Sequence, residues 1–282
     1  MSALQSSDIR FCDRDYAVEP ASQKHRLRCS RGLALTVPLR NALRAFACAG
    51  IFLRGLPRYF QLGRSGKDNW RALWAQWISR QFLRLIRCDV RVEGAVPERG
   101  LIVSNHLSYI DVLVIFSVCP AAFVSKSEVR NWPIFGLLTR MAGTIFVDRG
   151  RKTAVADQLP SVASALQSGL PVVLFPEGTS SDGSTVLLFR SSLLQAAVSS
   201  GAMTTPAAID YELEDGNVGE EICYWKDMVF VRHFWNLLGK ESLTATLRFG
   251  TPHPPARERK EHARNLRLDV IQLRIRSALS FS

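Results

Sequence analysis

The 282 residues contain no C-x-x-C pair and no histidine at metal-finger spacing, although six cysteines stand at positions 12, 29, 48, 88, 119 and 223. This argues against a zinc module or a redox dithiol. In a chain this long without a convincing secretory leader, the cysteines read as free thiols in a reducing, cytosolic setting. Long hydrophobic runs are missing too. The longest uncharged one near the middle, Val112 to Ser125, has 14 residues and contains Pro120, whereas a bilayer span needs roughly 18–20. The first apolar run, Ala45 to Leu53, is confined between Arg44 and Arg54 and follows a polar leader, so neither a transmembrane helix nor a cleaved signal is expected. With only 13 Pro and 18 Gly, no internal repeat and 47% hydrophobic residues, wholesale disorder and low complexity are excluded. The length suits one large α/β domain with an appendage, or two domains.

Acidic residues are scarce in one stretch. From Lys24 to Arg91 only Asp68 and Asp89 oppose 15 Lys and Arg, a local charge of +13, whereas residues 92–282 balance to zero and residues 1–23 are slightly acidic. Such a concentration points to a polyanionic surface, either membrane or nucleic acid. Two helical patterns lie in the basic segment: Leu33 to about Leu62, with a break at Pro57, and Trp70 to Ile86, where Trp70, Leu73, Trp74, Trp77, Ile78, Phe82, Leu85 and Ile86 recur at intervals of three to four. A Trp- and Leu-rich face accompanied by Arg71, Arg80, Arg84 and Arg87 suits a helix lying in the headgroup layer. Residues 1–23 are expected as a disordered polar leader, 24–88 as a basic amphipathic membrane module, and 89–282 as the main α/β domain.

After Arg91 short apolar runs alternate with helical stretches, the pattern of an α/β domain with a mainly parallel sheet flanked by helices. Strands are predicted at Val90–Glu93, Leu101–Ser104, Ala121–Ser125, Thr144–Val147, Pro171–Phe175, Thr205–Asp210 and Leu243–Phe249. Helices are predicted near Tyr109–Val118, Pro133–Met141, Ala154–Gln167, Arg190–Ser199 and Arg264–Leu279. No regular element is predicted between Asp210 and Leu243.

Ligands of such sheets bind beyond the carboxyl ends of the strands. Three of those ends are unusually polar: Ser104 to Asp111, Asp148-Arg149, and Pro176 to Gly183. If His106 stands just before a helix whose first turn holds Asp111, imidazole and carboxylate come within hydrogen-bond reach and make a general base for a substrate hydroxyl. Arg149 and the Glu177-Gly178 loop would bring a cation and a tight turn to the same edge, as an anionic substrate requires. Glu177 would orient Arg149 or receive a substrate hydroxyl. Lys126 and Arg130 could flank a donor groove and Arg151 and Lys152 could meet the phosphates of a donor, but all four read first as ordinary exposed charges, and Asp182 and Asp210 as turn and strand-end residues. Gly63-Arg64-Ser65-Gly66-Lys67 ends in Asp68 where a P-loop needs Ser or Thr, so nucleotide-triphosphate binding is rejected.

Four ordered blocks between about residues 90 and 250 resemble the glycerolipid acyltransferase family, whose familiar bacterial members are 1-acylglycerol-3-phosphate acyltransferases. They are Asn105-His106 with Asp111 (H-x4-D), Gly143 to Arg149, Phe175-Pro176-Glu177-Gly178-Thr179, and Thr205 to Ile209. The resemblance implies His106 as general base and Asp111 as its orienter. It also implies Arg149 as a phosphate or headgroup ligand, Glu177, Gly178 and Thr179 in the acceptor-binding loop, and Pro206 shaping the acyl-donor side or simply starting a strand. The implied reaction is attack of a lysolipid hydroxyl on acyl-CoA or acyl-carrier protein, without an acyl-enzyme, metal or cofactor, at the cytoplasmic face of an anionic membrane. Lysophosphatidate is the first acceptor implied. Many members of the family this chain resembles continue the third block with Arg where it has Ser180, so either Arg149 or Arg190 compensates for that cation or the acceptor is not lysophosphatidate, with a lyso-ornithine lipid as the alternative. A reading of a different class is a basic, non-enzymatic adaptor using Trp70, Trp74 and Trp77 on a membrane or a nucleic acid.

Overall fold

The structure, a computed structural model, describes residues 37–132, 135–147 and 152–279. Helices α1 (Val37–Gly63) and α2 (Trp70–Leu85) lead into β1 (Cys88–Glu93) and β2 (Leu101–Ser104). Then follow α3 (Ile110–Val118), β3 (Ala122–Lys126), α4 (Phe135–Met141), β4 (Ile145–Val147), α5 (Lys152–Gln167) and β5 (Val172–Leu174). The chain continues through α6 (Gln195–Ser200), β6 (Thr204–Glu212), α7 (Val218–Glu221), α8 (Phe230–Leu238), β7 (Leu243–Phe249) and α9 (Arg259–Leu279). Seven strands form one sheet in the order β1-β7-β6-β2-β5-β3-β4, parallel at every pairing except β6 with β7. The mixed α/β architecture and all seven predicted strands are therefore present.

The central strands are buried on both faces, which is why they read as continuous apolar runs and not as alternations. One face packs on α2, α3 and α8 through Trp74, Leu83, Ile110, Ile115 and Leu237. Leu193, Leu194, Ala197, Leu266 and Val270, from α6, α9 and the turn before α6, cover the other.

The helical module departs from the sequence expectation in two ways. First, α1 runs unbroken through Pro57. The hydrogen bond that proline forfeits lies on the exposed side, where Leu53 and Pro57 face solvent and water can serve the freed carbonyl. Second, α2 is a core helix. Trp74 is 1% exposed and its indole N–H donates to the Gly55 carbonyl at 2.8 Å. Gly55 has no side chain because Ile78 and Trp74 of α2 fill the space a Cβ would need. Trp74 therefore has no free face for lipid headgroups or nucleic-acid bases. The exposed apolar face lies instead on α1, at Leu39, Leu43, Phe46, Leu53 and Phe60, whose spacings of three, four and seven place them along one side of the helix.

α8, absent from the sequence reading, owes its position to α1. The guanidinium of Arg44 donates to the carbonyls of Leu238 and Lys240 at 2.8 and 2.6 Å, Arg40 reaches Gly239 O, and Asn41 donates to Trp235 O at 2.9 Å. Two cations thus satisfy the carbonyls left open at the negative end of α8.

Candidate active site

β6 is nine residues long and its neighbour β2 only four, so β6 runs on past the end of β2 and leaves Ile209 without a backbone partner on that side. The side chain of Asn105 fills the gap. Its amide donates to Ile209 O and its carbonyl accepts from Ile209 N, both at 2.9 Å. This amide clamp makes the chain leave the sheet immediately before His106.

The turn that follows is organised by Asp111, fully buried in the first turn of α3. Its Oδ2 accepts from the backbone N–H of Leu107 at 2.7 Å and of Ser108 at 2.9 Å, and lies 2.7 Å from His106 Nδ1. Its Oδ1 accepts from the Tyr211 hydroxyl at 2.6 Å. Tyr211 is held protonated, its hydroxyl pushed well above the usual tyrosine range by burial and by Asp111. Every neighbour of the carboxylate is therefore a donor, and His106 must carry its proton on Nδ1 to be one of them. Nε2, on a side chain 22% exposed, has no hydrogen-bond partner among the described residues. The imidazole stacks on Phe175 with centroids 4.1 Å apart and planes at 14°, which fixes its plane as Asp111 fixes its tautomer.

Phe175 begins the loop after β5. Glu177 in that loop is 3% exposed, and neither carboxyl oxygen has a well-formed hydrogen bond among the described residues. Burial pushes its carboxyl up to about 8, with Asp111 adding in the same direction, while backbone groups of His106 and Leu187 and the Arg274 guanidinium pull the other way. At neutral pH it is largely a neutral acid and can donate a hydrogen bond as well as accept one. Gly178 has φ +76°, in the left-handed region that favours glycine, and a Cβ there would meet Arg190 Nε at 2.8 Å. Thr179 is exposed; Ser180 turns its hydroxyl inward to the carbonyl of Tyr224. Ser181 N donates to His106 O at 3.0 Å, so the first and third loops are directly joined.

The structure thus brings His106, Asp111, Glu177 and Gly178 together at one sheet edge. Arg149 lies outside the described residues. Pro206 is buried on β6 opposite Val103, and its ring sits 2.9 Å from where a Cβ on Gly250 would stand. Asp210 is not a bare strand end. It binds Arg274 at 2.8 Å and Arg248 at 3.0 Å, and Arg248 also binds Glu93 at 3.0 Å.

Three parts of the site carry no spacing signal. Tyr211 is a hundred residues from Asp111, although a tyrosine on the buried face of β6, with Ala207 and Ile209, has a hydroxyl that must find a partner. The Asn105 clamp needs the unequal lengths of β2 and β6 to be known. The third is an aromatic wall: Tyr109 meets Phe230 at 5.3 Å, Tyr224 at 5.6 Å and Phe135 at 5.9 Å. His233 steadies it from α8. Burial keeps this histidine neutral, its Nε2 donates to Cys223 O at 3.1 Å, and its Nδ1 accepts from the Tyr109 hydroxyl at 3.1 Å.

Residues 87–210 match the family model described as Acyltransferase. The chain is 35% identical over 225 residues to a lyso-ornithine lipid O-acyltransferase of Rhizobium meliloti (strain 1021), covering 73% of this chain and 75% of that one. A lyso-ornithine lipid O-acyltransferase of Brucella abortus (strain 2308) is 32% identical over 66% of this chain and 75% of its own. The 1-acyl-sn-glycerol-3-phosphate acyltransferase of Neisseria gonorrhoeae is 32% identical over 46% and 54%. The solved 1-acyl-sn-glycerophosphate acyltransferase PlsC of Thermotoga maritima shares the fold, with a TM-score of 0.56 and 22% identity over 85% of this chain and 98% of that one. With the H-x4-D pair assembled at the end of β2 and the third block beside it, the chain belongs to the glycerolipid acyltransferase family and is an acyltransferase.

Proposed function

We propose that this protein is a membrane-associated O-acyltransferase that moves a fatty acyl group from acyl-CoA or acyl-carrier protein to the hydroxyl of a lysolipid, with a lyso-ornithine lipid as the preferred acceptor. The carrying observation is the His106–Asp111 pair, with Nδ1 bonded at 2.7 Å and Nε2 without a partner among the described residues. Nε2 takes the hydroxyl proton of the lysolipid as its oxygen attacks the thioester carbonyl. Asp111 stabilises the imidazolium so formed, and His106 returns the proton to the departing thiolate. The acceptor hydroxyl is itself the nucleophile, so no acyl-enzyme forms.

Two observations favour the lyso-ornithine acceptor over lysophosphatidate, reversing the order implied by sequence resemblance. Ser180, standing where the family resemblance implies an Arg, points its hydroxyl away to Tyr224 O and supplies no cation. The Rhizobium meliloti and Brucella abortus relatives, whose sequences are matched over three quarters of their length, are both named for lyso-ornithine lipid.

Membrane association is supported by α1. No helix among the described residues is long and apolar enough to cross a bilayer, yet Phe46 is 81% and Leu53 65% exposed along the apolar stripe. Exposed Arg54, Arg58, Arg64 and Lys67 accompany it. An apolar stripe with flanking cations suits a helix lying in an anionic interface.

The test is transfer from acyl-CoA and from acyl-carrier protein by the purified full chain, with lyso-ornithine lipid and lysophosphatidate offered together and products identified by mass. Acylated ornithine lipid in excess is expected. Phosphatidate alone would contradict the acceptor reading, and no transfer to either lipid would contradict the function.

A further inference from the structure

We infer that Arg190 is the acceptor-binding cation of this site: its guanidinium takes the anionic group of the lysolipid headgroup, the task Ser180 cannot perform. The inference rests on the acyltransferase reading and names a specificity-determining residue within it.

Arg190 is tied to the third loop through its backbone, and its side chain lies over the same loop. Its backbone N–H donates to Pro176 O at 2.8 Å, and its side chain crosses Gly178 so closely that a Cβ there would lie 2.8 Å from Nε and 3.1 Å from Cζ. The Glu177-Gly178 turn therefore has two reasons to contain glycine: the positive φ and the guanidinium passing over it. This loop also carries Phe175, which stacks on His106, so Arg190 and His106 are referenced to the same four residues, Phe175 to Gly178.

Among the described residues, three neighbouring guanidiniums are already engaged. Arg274 is held by Asp210 and Gly183 O, Arg248 by Asp210 and Glu93, and Arg267 by the carbonyls of Val186 and Leu187. Arg190 is exposed, and no carboxylate or carbonyl accepts from its side chain among the described residues. A guanidinium lying over the Gly178 turn, with its donors open among the described residues, is placed to receive an oxyanion. The fitting chemistry is a carboxylate or a phosphomonoester beside the acylated hydroxyl. An amino-acid headgroup supplies the first and lysophosphatidate the second.

The experiment measures binding of lysolipids in neutral mixed micelles without acyl donor, so that it reads Arg190 whether or not transfer occurs. Lyso-ornithine lipid, lysophosphatidate and a monoacylglycerol, which offers a hydroxyl and no anion, are titrated into the full-length wild type, Arg190→Gln and Arg190→Lys. We expect Arg190→Gln to weaken at least one anionic lysolipid tenfold or more and monoacylglycerol less than threefold. Arg190→Lys should recover part of the loss, and the salt dependence of anionic binding should shrink in Arg190→Gln. The lipid that suffers identifies the anion. An equal loss for monoacylglycerol would show a packing role and overturn the inference, as would unchanged binding of both anionic lipids. Failure of the wild type to transfer acyl groups, with the binding difference intact, would refute the enzymatic reading and leave Arg190 as an anion site.

Discussion

Replacing Glu177 with Gln should stabilise the protein, and by more as the pH rises. The carboxyl is 3% exposed and pushed up from 4.5 to about 8 by burial. An unfolded carboxyl ionises near 4.5, so between that value and about 8 the folded state holds a proton that the unfolded state has lost. Stability contributed by the neutral acid is complete at low pH and declines as pH climbs through that window. At about 1.4 kcal/mol for each pH unit the penalty reaches at most about 5 kcal/mol. The loop is close to the surface, and water entering as it opens would bring the penalty to about 2 kcal/mol. Gln keeps the shape and never ionises. Thermal unfolding of wild type and Glu177→Gln at pH 5 and pH 8.5 should therefore give melting temperatures that differ little at pH 5 and by about 4–8 °C in favour of the variant at pH 8.5. A variant less stable than wild type by the same amount at both values would mean that Glu177 is ionised and paired in the folded protein, and would refute the reasoning.

Tyr211→Phe removes one of the donors on buried Asp111. The expected cost is about 1–2 kcal/mol in stability and about a tenfold fall in kcat, measured by chemical denaturation and steady-state transfer. Asn105→Ala removes both bonds to Ile209; about 2 kcal/mol should be lost, with local hydrogen exchange accelerating at Leu107 and Ser108. Phe46→Asp and Leu53→Asp, both on the exposed stripe of α1, should weaken sedimentation with anionic vesicles at least fivefold while leaving the melting temperature within about 2 °C. Vesicle binding equal to wild type would remove α1 from the membrane account.

The parts of this fold that were legible in sequence are those written in local pattern. Val172–Leu174 and Leu101–Ser104 are short, β-branched or apolar, and bounded by turn residues, because both faces of a central parallel strand are covered. His106 and Asp111 were legible as a pair because a strand end followed by a helix start brings residues five apart together. Where the reading failed, the deciding partner was far away in the chain. Trp70 to Ile86 has the composition of an interfacial helix, but periodicity cannot say whether an apolar face meets lipid or protein; α1 and α3 claimed it. α8 begins Phe230-Val231-Arg232-His233, a weak helix former, and is held by Arg40, Asn41 and Arg44, nearly two hundred residues earlier. Glu177 was legible as a candidate in the loop that the structure sets beside His106, but its neutral state follows from burial that no spacing reveals.

The most direct test of the central claim is acyl transfer to lyso-ornithine lipid by the purified full chain beside His106→Ala, with melting temperature and vesicle binding measured on the same samples. The account predicts a folded, membrane-binding variant whose transfer rate is down by about 10²–10⁴. A folded His106→Ala protein that retains a tenth or more of wild-type transfer would contradict it.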